Sequence, residues 1–213
     1  MYLLPPQVWL AITHLGAASI MLPMAAMIFS GFALAGRQTE LCTWVLTMLS
    51  AIVMVLLSKI AFIGWGLGSA TLDFTGISDH AMLSSSIIPI WLGWLLAGSS
   101  RRLHPAGVIL GLMVSALVAW SRVILGAHSI SEVVMGWLLG AIVSLVAYRA
   151  LRSPLPARYL AFSSGLLLLF ALNSSLSSYL PSHVLEIRIA LALSGHAHPY
   201  TRKDLHRSGQ LVS

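Results

Sequence analysis

Apolar residues run along the chain in six long stretches, each about the length of a membrane-crossing helix. The stretches cover residues 8–35, 41–63, 81–98, 106–125, 130–150 and 159–180. Because a hydrocarbon core about 30 Å thick takes roughly 20 helical residues to cross, each stretch predicts one transmembrane helix. Backbone polar groups must be paired within lipid, so helices are the expected spanning form. The pattern predicts an all-α integral membrane bundle of about six transmembrane helices.

The composition supports the same class of protein. Hydrophobic residues make up 58% of the chain and charged residues 8%, and the mean hydropathy is +0.89. A net charge of +6 would suggest nucleic acid as a partner of a soluble protein. Here the cations lie mainly in loops, where they orient spans, so we expect no nucleic-acid partner. We expect one domain over residues 1–213, with a polar C-terminal tail at 196–213.

Loop arginines predict the orientation of the bundle. The first, third and fifth connections contain Arg37, Arg101, Arg102, Arg149, Arg152 and Arg158. This side is predicted to be cytoplasmic, and the opposite side periplasmic in a bacterial inner membrane. The basic residues of the tail disagree with this rule unless a re-entrant or interfacial segment near 186–193 relocates the tail. These residues are Arg188, Arg202, Lys203 and Arg207.

Small residues recur every four positions on the fourth and fifth predicted spans. The first set is Gly107, Gly111, Ser115 and Ala119, and the second is Gly136, Gly140 and Ser144. Such faces allow helices to approach closely in a membrane. Both faces extend toward polar residues, Arg122 on one span and His128 on the other. We therefore predict that packing of the two faces brings Arg122 and His128 together.

The polar residues on the predicted periplasmic side are suited to phosphate chemistry. His128 and Glu132 share one helical face at i and i+4, where a carboxylate can hold one imidazole nitrogen and leave the other as a nucleophile. Arg122 offers a planar fork for phosphate oxygens, and Lys59 adds a second cation. Near a helix start, Ser78 can bind phosphoryl oxygens and His80 can protonate a leaving oxygen. No metal or other cofactor is needed.

At these residues the chain resembles the type 2 phosphatidic acid phosphatase superfamily of integral-membrane lipid phosphate phosphatases. The signature of that family is Lys-x6-Arg-Pro, then Pro-Ser-Gly-His, then Ser-Arg-x5-His-x3-Asp, and the resemblance covers roughly Lys59 to Gly140. It implies a membrane lipid phosphate as substrate and a phosphohistidine as intermediate. It also implies His128 as nucleophile, His80 as general acid and Glu132 as the orienting carboxylate. The implied phosphate ligands are Lys59, Ser78 and Arg122.

The chain departs from the family signature at several positions. Gly66 and Leu67 stand where the first motif has Arg and Pro, so one phosphate-binding cation is missing. Ile77 replaces the Pro of the second motif, and Glu132 is one methylene longer than the family Asp. Asp79 replaces Gly and is expected to perturb the site. A carboxylate about 4 Å from a phosphate charge costs about 4 kcal/mol, or roughly a thousandfold in rate, if nothing relieves it.

Several alternatives follow from the same residues. A metal site could use His80, His128, Asp79, Glu132 and Asp73, but their spacing fits no zinc motif, so we expect no metal. Ser194-Gly195-His196 repeats part of the second motif in the tail, which we interpret as coincidence. A noncatalytic lipid-phosphate binder, scaffold or transporter, or a lipid-to-lipid phosphotransferase, would use the same residues.

The sequence leaves the lipid and the oligomeric state open. Candidate substrates are undecaprenyl diphosphate, phosphatidic acid, phosphatidylglycerol phosphate and a lipid A phosphate. Small-residue faces serve packing within one chain and between subunits equally well, so they predict no particular assembly.

Overall fold

The computed structural model describes residues 5–97, 100–150 and 182–209, which form a helical bundle. The helices are α1 (Pro6–His14), α2 (Ala18–Leu34), α3 (Gln38–Trp65), α4 (Asp79–Ala97), α5 (His104–Ile124), α6 (Ile130–Ala150), α7 (Ser182–Ser194) and α8 (Arg202–Gly209). Among the described residues, five segments are long and apolar enough to cross a membrane. The predicted all-α membrane bundle is confirmed for these five, and the sixth predicted span, residues 159–180, lies outside the described residues.

The first apolar stretch is interrupted, although an unbroken span was predicted. Helix α1 ends at His14 and α2 begins at Ala18, with Ala17 in an extended conformation at φ −67° and ψ 144°. The break allows α1 to pack against α5, where Thr13 meets Arg122. Hydropathy could not reveal the break, because residues 15–17 are as apolar as the helices on either side.

Helix α4 lies at the centre of the bundle, between α5 and α6. Its buried residues are distributed all around its circumference and include Ser84, Ser85 and Ser86, whose hydroxyls donate to carbonyl groups one turn back in the same helix. This internal pairing satisfies the polar groups without a partner from another helix. The central position of α4 determines how the small-residue faces are used.

Both small-residue faces pack against α4 rather than against each other, so the predicted pairing of the faces is wrong. A Cβ added to Gly111 of α5 would lie 2.7 Å from the backbone nitrogen of Pro89. One added to Gly136 of α6 would lie 2.5 Å from the carbonyl oxygen of Ser78. Close helix approach was predicted correctly, but the periodic spacing alone did not identify the neighbour.

We expect Gly111→Val to destabilise the bundle, because the new side chain collides with the backbone of α4, which cannot rotate away. Overpacking of this kind costs about 1–3 kcal/mol. Ala106→Val on an exposed face of the same helix is the matched control and should change little. The measurement is the thermal unfolding midpoint in detergent, and equal midpoints for the two variants would contradict the close α4–α5 contact.

The apolar core anchors the end of the bundle away from the polar residues. Phe32 of α2 packs edge-on against Trp94 of α4 with ring centroids 5.0 Å apart, and Trp44 of α3 lies 6.3 Å from the Phe32 ring. All three side chains are buried. At the opposite end, the C-termini of α3 and α5 meet the N-termini of α4 and α6. The fold therefore collects the predicted phosphate-binding residues at one end.

The C-terminal helices return to this same end. Helix α7, which contains the predicted segment 186–193, packs along α3, and the chain then continues over the end of α3 into α8. The polar tail thus lies on the side of the polar residues, as six spans would require. The segment does not move the tail to the opposite side.

Candidate active site

The loop between α3 and α4 folds back over Lys59. Gly66 ends α3 with φ 69°, and Ser69 and Phe74 then exchange backbone hydrogen bonds of 3.0 and 2.9 Å. Gly76, at φ 152°, passes so near that an added Cβ would lie 2.8 Å from Lys59 Cγ. Only glycine fits this approach. The loop therefore holds Lys59 close to the start of α4.

A cavity of about 620 Å³ opens at this end of the bundle. Five of the residues predicted for the site line it: Lys59, Asp79, His80, Arg122 and His128. Its size falls within the usual range for small-molecule sites, about 300–1,000 Å³. His80 lies in the first turn of α4, whereas His128 lies in the loop just before α6 and not on the helix, where the predicted helical face shared with Glu132 would place it. The two histidines thus face one space together with the two predicted cations.

Glu132 lies behind His128 as a fully buried carboxylate. Its Oε2 lies 2.7 Å from Nδ1 of His128 and accepts the Ser129 amide at 3.1 Å. Its Oε1 accepts both the amide and the hydroxyl of Thr75 at 2.6 Å, and Nη2 of Arg202 donates to both oxygens at 2.9 Å. Since an ionised carboxylate only accepts, Nδ1 of His128 is the donor in this contact, and in the neutral imidazole Nε2 is the nitrogen with the lone pair.

Two buried donors beside the cavity have no hydrogen-bond partner in the described part of the chain. Nη1 of Arg122 donates to Thr13 Oγ1 at 3.1 Å, but the buried Nε of Arg122 has no partner there. The hydroxyl of Ser78, a residue with no exposed surface, is likewise unpaired among the described residues. Ser78 itself is not part of the cavity lining but directly precedes Asp79. The unpaired Nε of Arg122, a residue that lines the cavity, calls for an acceptor, and a phosphate oxygen would meet that need.

Lys59 already has two carboxylate neighbours. Its Nζ donates to Glu186 Oε1 at 3.0 Å and lies 3.7 Å from Asp79 Oδ2. The other oxygen of Asp79 lies 3.3 Å from Nδ1 of His80. The Asp79 charge is thus directed at a lysine and an imidazole, which reduces the repulsion that it exerts on a phosphate. It also weakens the attraction of Lys59 for that phosphate.

Sequence reasoning missed four residues of this site: Thr13, Thr75, Glu186 and Arg202. Glu186 gave a usable signal, because a lone carboxylate in the apolar run of α7 is a functional candidate in a membrane protein. Arg202 gave none, since it is one of several cations in a polar tail. The two threonines have no distinguishing spacing.

The residues considered for a metal site do not converge as ligands. Among residues 5–97, 100–150 and 182–209, no three His, Cys, Asp or Glu side chains are grouped closely enough to hold a metal ion. Asp73, one of the five considered, binds Arg202 and His206 of α8 instead, at 2.6 and 2.9 Å.

Comparisons with known proteins give a family match for the part of the chain that contains His80, Arg122 and His128. The sequence profile of the PAP2 superfamily matches residues 62–154. A protein of Klebsiella pneumoniae, named "Uncharacterized 22.5 kDa protein in cps region", is 38% identical over 205 residues, which cover 93% of this chain and 98% of that protein. No solved structure matches the chain significantly.

Proposed function

Since the chain belongs to the PAP2 superfamily, whose members are phosphatases, we propose that it hydrolyses a phosphate or diphosphate of a membrane lipid through a phosphohistidine. The protein is an integral membrane protein, so a substrate anchored in the bilayer can reach a cavity at one end of the bundle. Undecaprenyl diphosphate and phosphatidic acid are the substrates we propose to test first. Loop charge supports a location in a bacterial inner membrane with the site on the periplasmic side.

The proposed reaction has two steps and uses side chains alone. Nε2 of His128 attacks phosphorus, the bond from phosphorus to the leaving oxygen breaks, and His80 donates a proton to that oxygen. Water then attacks the phosphohistidine while His80 takes a proton from it, and the phosphorus–nitrogen bond breaks to release phosphate. Arg122 and Lys59 neutralise the charge on the equatorial oxygens.

One observation supports the proposal above the others: the lone-pair nitrogen of His128 belongs to a ring held by a buried carboxylate, in a cavity that Arg122 also lines. A histidine that only fills space or forms a surface hydrogen bond does not need a fully buried carboxylate as its partner, so this arrangement favours a catalytic role for His128. The unpaired Nε of Arg122 adds a donor for an anionic ligand among the described residues.

The test is phosphate release by the purified protein in detergent from phosphatidic acid and from undecaprenyl diphosphate. An alkaline quench after a short incubation with labelled substrate preserves the acid-labile phosphorus–nitrogen bond. We expect released phosphate and a labelled protein with the wild type, and neither with His128→Ala. Equal release by the two proteins would overturn the proposed function.

The noncatalytic lipid-phosphate binder is the second candidate, and Asp79 is the observation that favours it. This carboxylate lines the cavity and is close to Lys59, where it competes with a phosphate for the cation. A protein that binds but does not turn over lipid phosphates would tolerate such a residue.

Replacement of Asp79 separates the two candidates. For an enzyme we expect Asp79→Gly to raise kcat/KM about tenfold to hundredfold, because full repulsion of about 4 kcal/mol is already partly offset by Lys59. Asp79→Asn is the matched control, since it removes the charge and retains a side chain beside His80. If the wild type, Asp79→Gly and His128→Ala all release no phosphate, the binder is the better description.

A further inference from the structure

The start of the C-terminal tail is docked on the end of α3. The amide of Tyr200 donates to the Ile63 carbonyl at 2.9 Å, and Nδ1 of His196 donates to the Gly64 carbonyl at 2.7 Å. The Tyr200 ring packs over Gly66, where an added Cβ would lie 3.0 Å from the ring. Gly66 is the position at which the first motif of the family has arginine. A side chain there would displace Tyr200, so the missing arginine and the docked tail occur together.

The docked tail directs one cation into the site. Asp204 caps the start of α8: the Thr201 amide and the Thr201 hydroxyl both donate to its Oδ2, at 3.0 and 2.6 Å. The hydrogen bonds from the Thr201 side chain and then its amide lower the pKa of Asp204. Between these two residues, Arg202 begins the helix and lines the cavity. The cap therefore fixes the backbone from which the Arg202 side chain extends.

Arg202 joins the tail to the buried carboxylate of the site. Its Nη2 donates to both oxygens of Glu132 at 2.9 Å, and its Nη1 donates to Asp73 Oδ2 at 2.6 Å. The Glu132 side chain has no exposed surface, whereas the Arg202 side chain is 36% exposed. A buried anion needs charged partners, and a guanidinium binds a carboxylate with a defined geometry. The Glu132 carboxylate is thus fixed from one side by the tail and from the other by Thr75 and His128.

We propose that Arg202 is a positioning residue of the active site, which holds Glu132 and through it the ring of His128. This proposal rests on the proposed function. The tail thereby supplies a guanidinium to a site whose first motif lacks one. It also holds both oxygens of Glu132 in place, so that the carboxylate stays beside the imidazole ring and can stabilise its positive charge when Nε2 is phosphorylated.

The kinetic test compares Arg202→Gln, Arg202→Lys and the control Lys203→Gln, which removes an exposed cation from the next position of α8. Phosphate release is measured over a range of phosphatidic acid concentrations, and the unfolding midpoint of each variant is measured in detergent. We expect Arg202→Gln to lower kcat about tenfold to hundredfold, with KM changed less than about threefold, since one charged hydrogen-bond partner is lost. Arg202→Lys should recover part of the loss, and Lys203→Gln should match the wild type.

The split between kcat and KM, together with rescue by lysine, distinguishes positioning from a purely structural role. A purely structural role would lower the unfolding midpoint in detergent without a selective loss of kcat. A wild-type kcat in this variant would overturn the proposal. So would a rise in KM at unchanged kcat, which would make Arg202 a substrate ligand, and so would a rise in kcat, which would make the tail inhibitory.

A cross-link between α3 and the last residue of α7, two residues before the tail, tests the docked arrangement without relying on those substitutions. A Cβ at residue 64 would lie 3.3 Å from Ser194 Cβ, close to the 3.5–4.5 Å typical of disulfides. In a Cys42→Ser background, Gly64→Cys with Ser194→Cys should form a disulfide on oxidation, seen by mass spectrometry. We expect the oxidised protein to retain activity within about twofold of its reduced form. Inactivation upon oxidation would overturn the proposal, because the docked state would then be a closed one.

Failure of this inference and failure of the proposed function give different results. If His128→Ala and the wild type release equal phosphate, the proposed function fails. If His128→Ala is inactive and Arg202→Gln is as active as the wild type, the phosphatase proposal stands and the role of Arg202 is refuted.

Discussion

His128→Ala is expected to lower kcat for lipid phosphate hydrolysis at least about 1000-fold, the largest effect that we expect from any single substitution. The side chain that forms the bond to phosphorus is lost, and no other imidazole has the same partner. His128 Nδ1 is held 2.7 Å from the buried Glu132, whereas His80 lies beside the partly exposed Asp79. The measurement is phosphate release together with labelling of the protein.

His14→Ala is the control for this result, because His14 is exposed and lies on α1. The fold should survive in both variants, since His128 lines a cavity and its loss opens no apolar core. The unfolding midpoints in detergent should therefore remain close to that of the wild type. Retention of labelled protein in His128→Ala would assign the nucleophile to another residue.

Glu132→Gln is expected to reduce both activity and stability. Arg202 and the amides of Thr75 and Ser129 lose a charged acceptor. This loss costs about 1–3 kcal/mol, since Arg202 is partly exposed and keeps Asp73 as a partner. Loss of the orienting carboxylate should lower kcat about 100- to 10,000-fold, as in other nucleophile–base pairs. Thermal unfolding and phosphate release measure the two effects.

Two further variants serve as controls for this prediction. Glu40→Gln removes a carboxylate from the first turn of α3, at the opposite end of the bundle, and should alter neither property. Glu132→Asp keeps the charge and restores the family residue, so it should retain more activity than Glu132→Gln. If Glu132→Gln is as stable and as active as Glu40→Gln, Glu132 is not the orienting carboxylate.

The transmembrane helices and the central residues of the site were predictable from the sequence, because both depend on local spacing. An apolar run of about 20 residues identifies a span. The four-residue spacing of His128 and Glu132 correctly predicted their contact, although His128 lies in the loop that leads into α6 and not on the helix itself. Arg122 and Lys59 then reach the same cavity because their spans end on the same side of the bundle. The roles of these residues in catalysis stay predictions until the variants are measured.

The arrangement of helices and the docked tail depend on contacts far apart in sequence. The small-residue faces of α5 and α6 indicated close packing, but α4 gave no sign that it receives both, since its apolar residues lie on all sides. Arg202 was one of several tail cations that disagreed with the orientation rule, and nothing in the sequence linked it to Glu132. The tail that positions it packs Tyr200 over Gly66, where a side chain would not fit. A glycine such as Gly66 does not reveal from sequence alone that it leaves room for another residue. Its role becomes clear only when the structure shows Tyr200 packed over it.

The central position of α4 also bears on how the protein enters the membrane during synthesis. Of the five candidate spans, α4 has the lowest mean hydropathy and the most buried surface, and it contains three adjacent serines and Pro89. Transfer of such a segment into lipid on its own is weakly favourable. The segment should therefore stay at the insertion machinery until α5 and α6 emerge from the ribosome and cover it. Correct insertion of the bundle should then require α4, α5 and α6 to leave the insertion machinery and enter the lipid together.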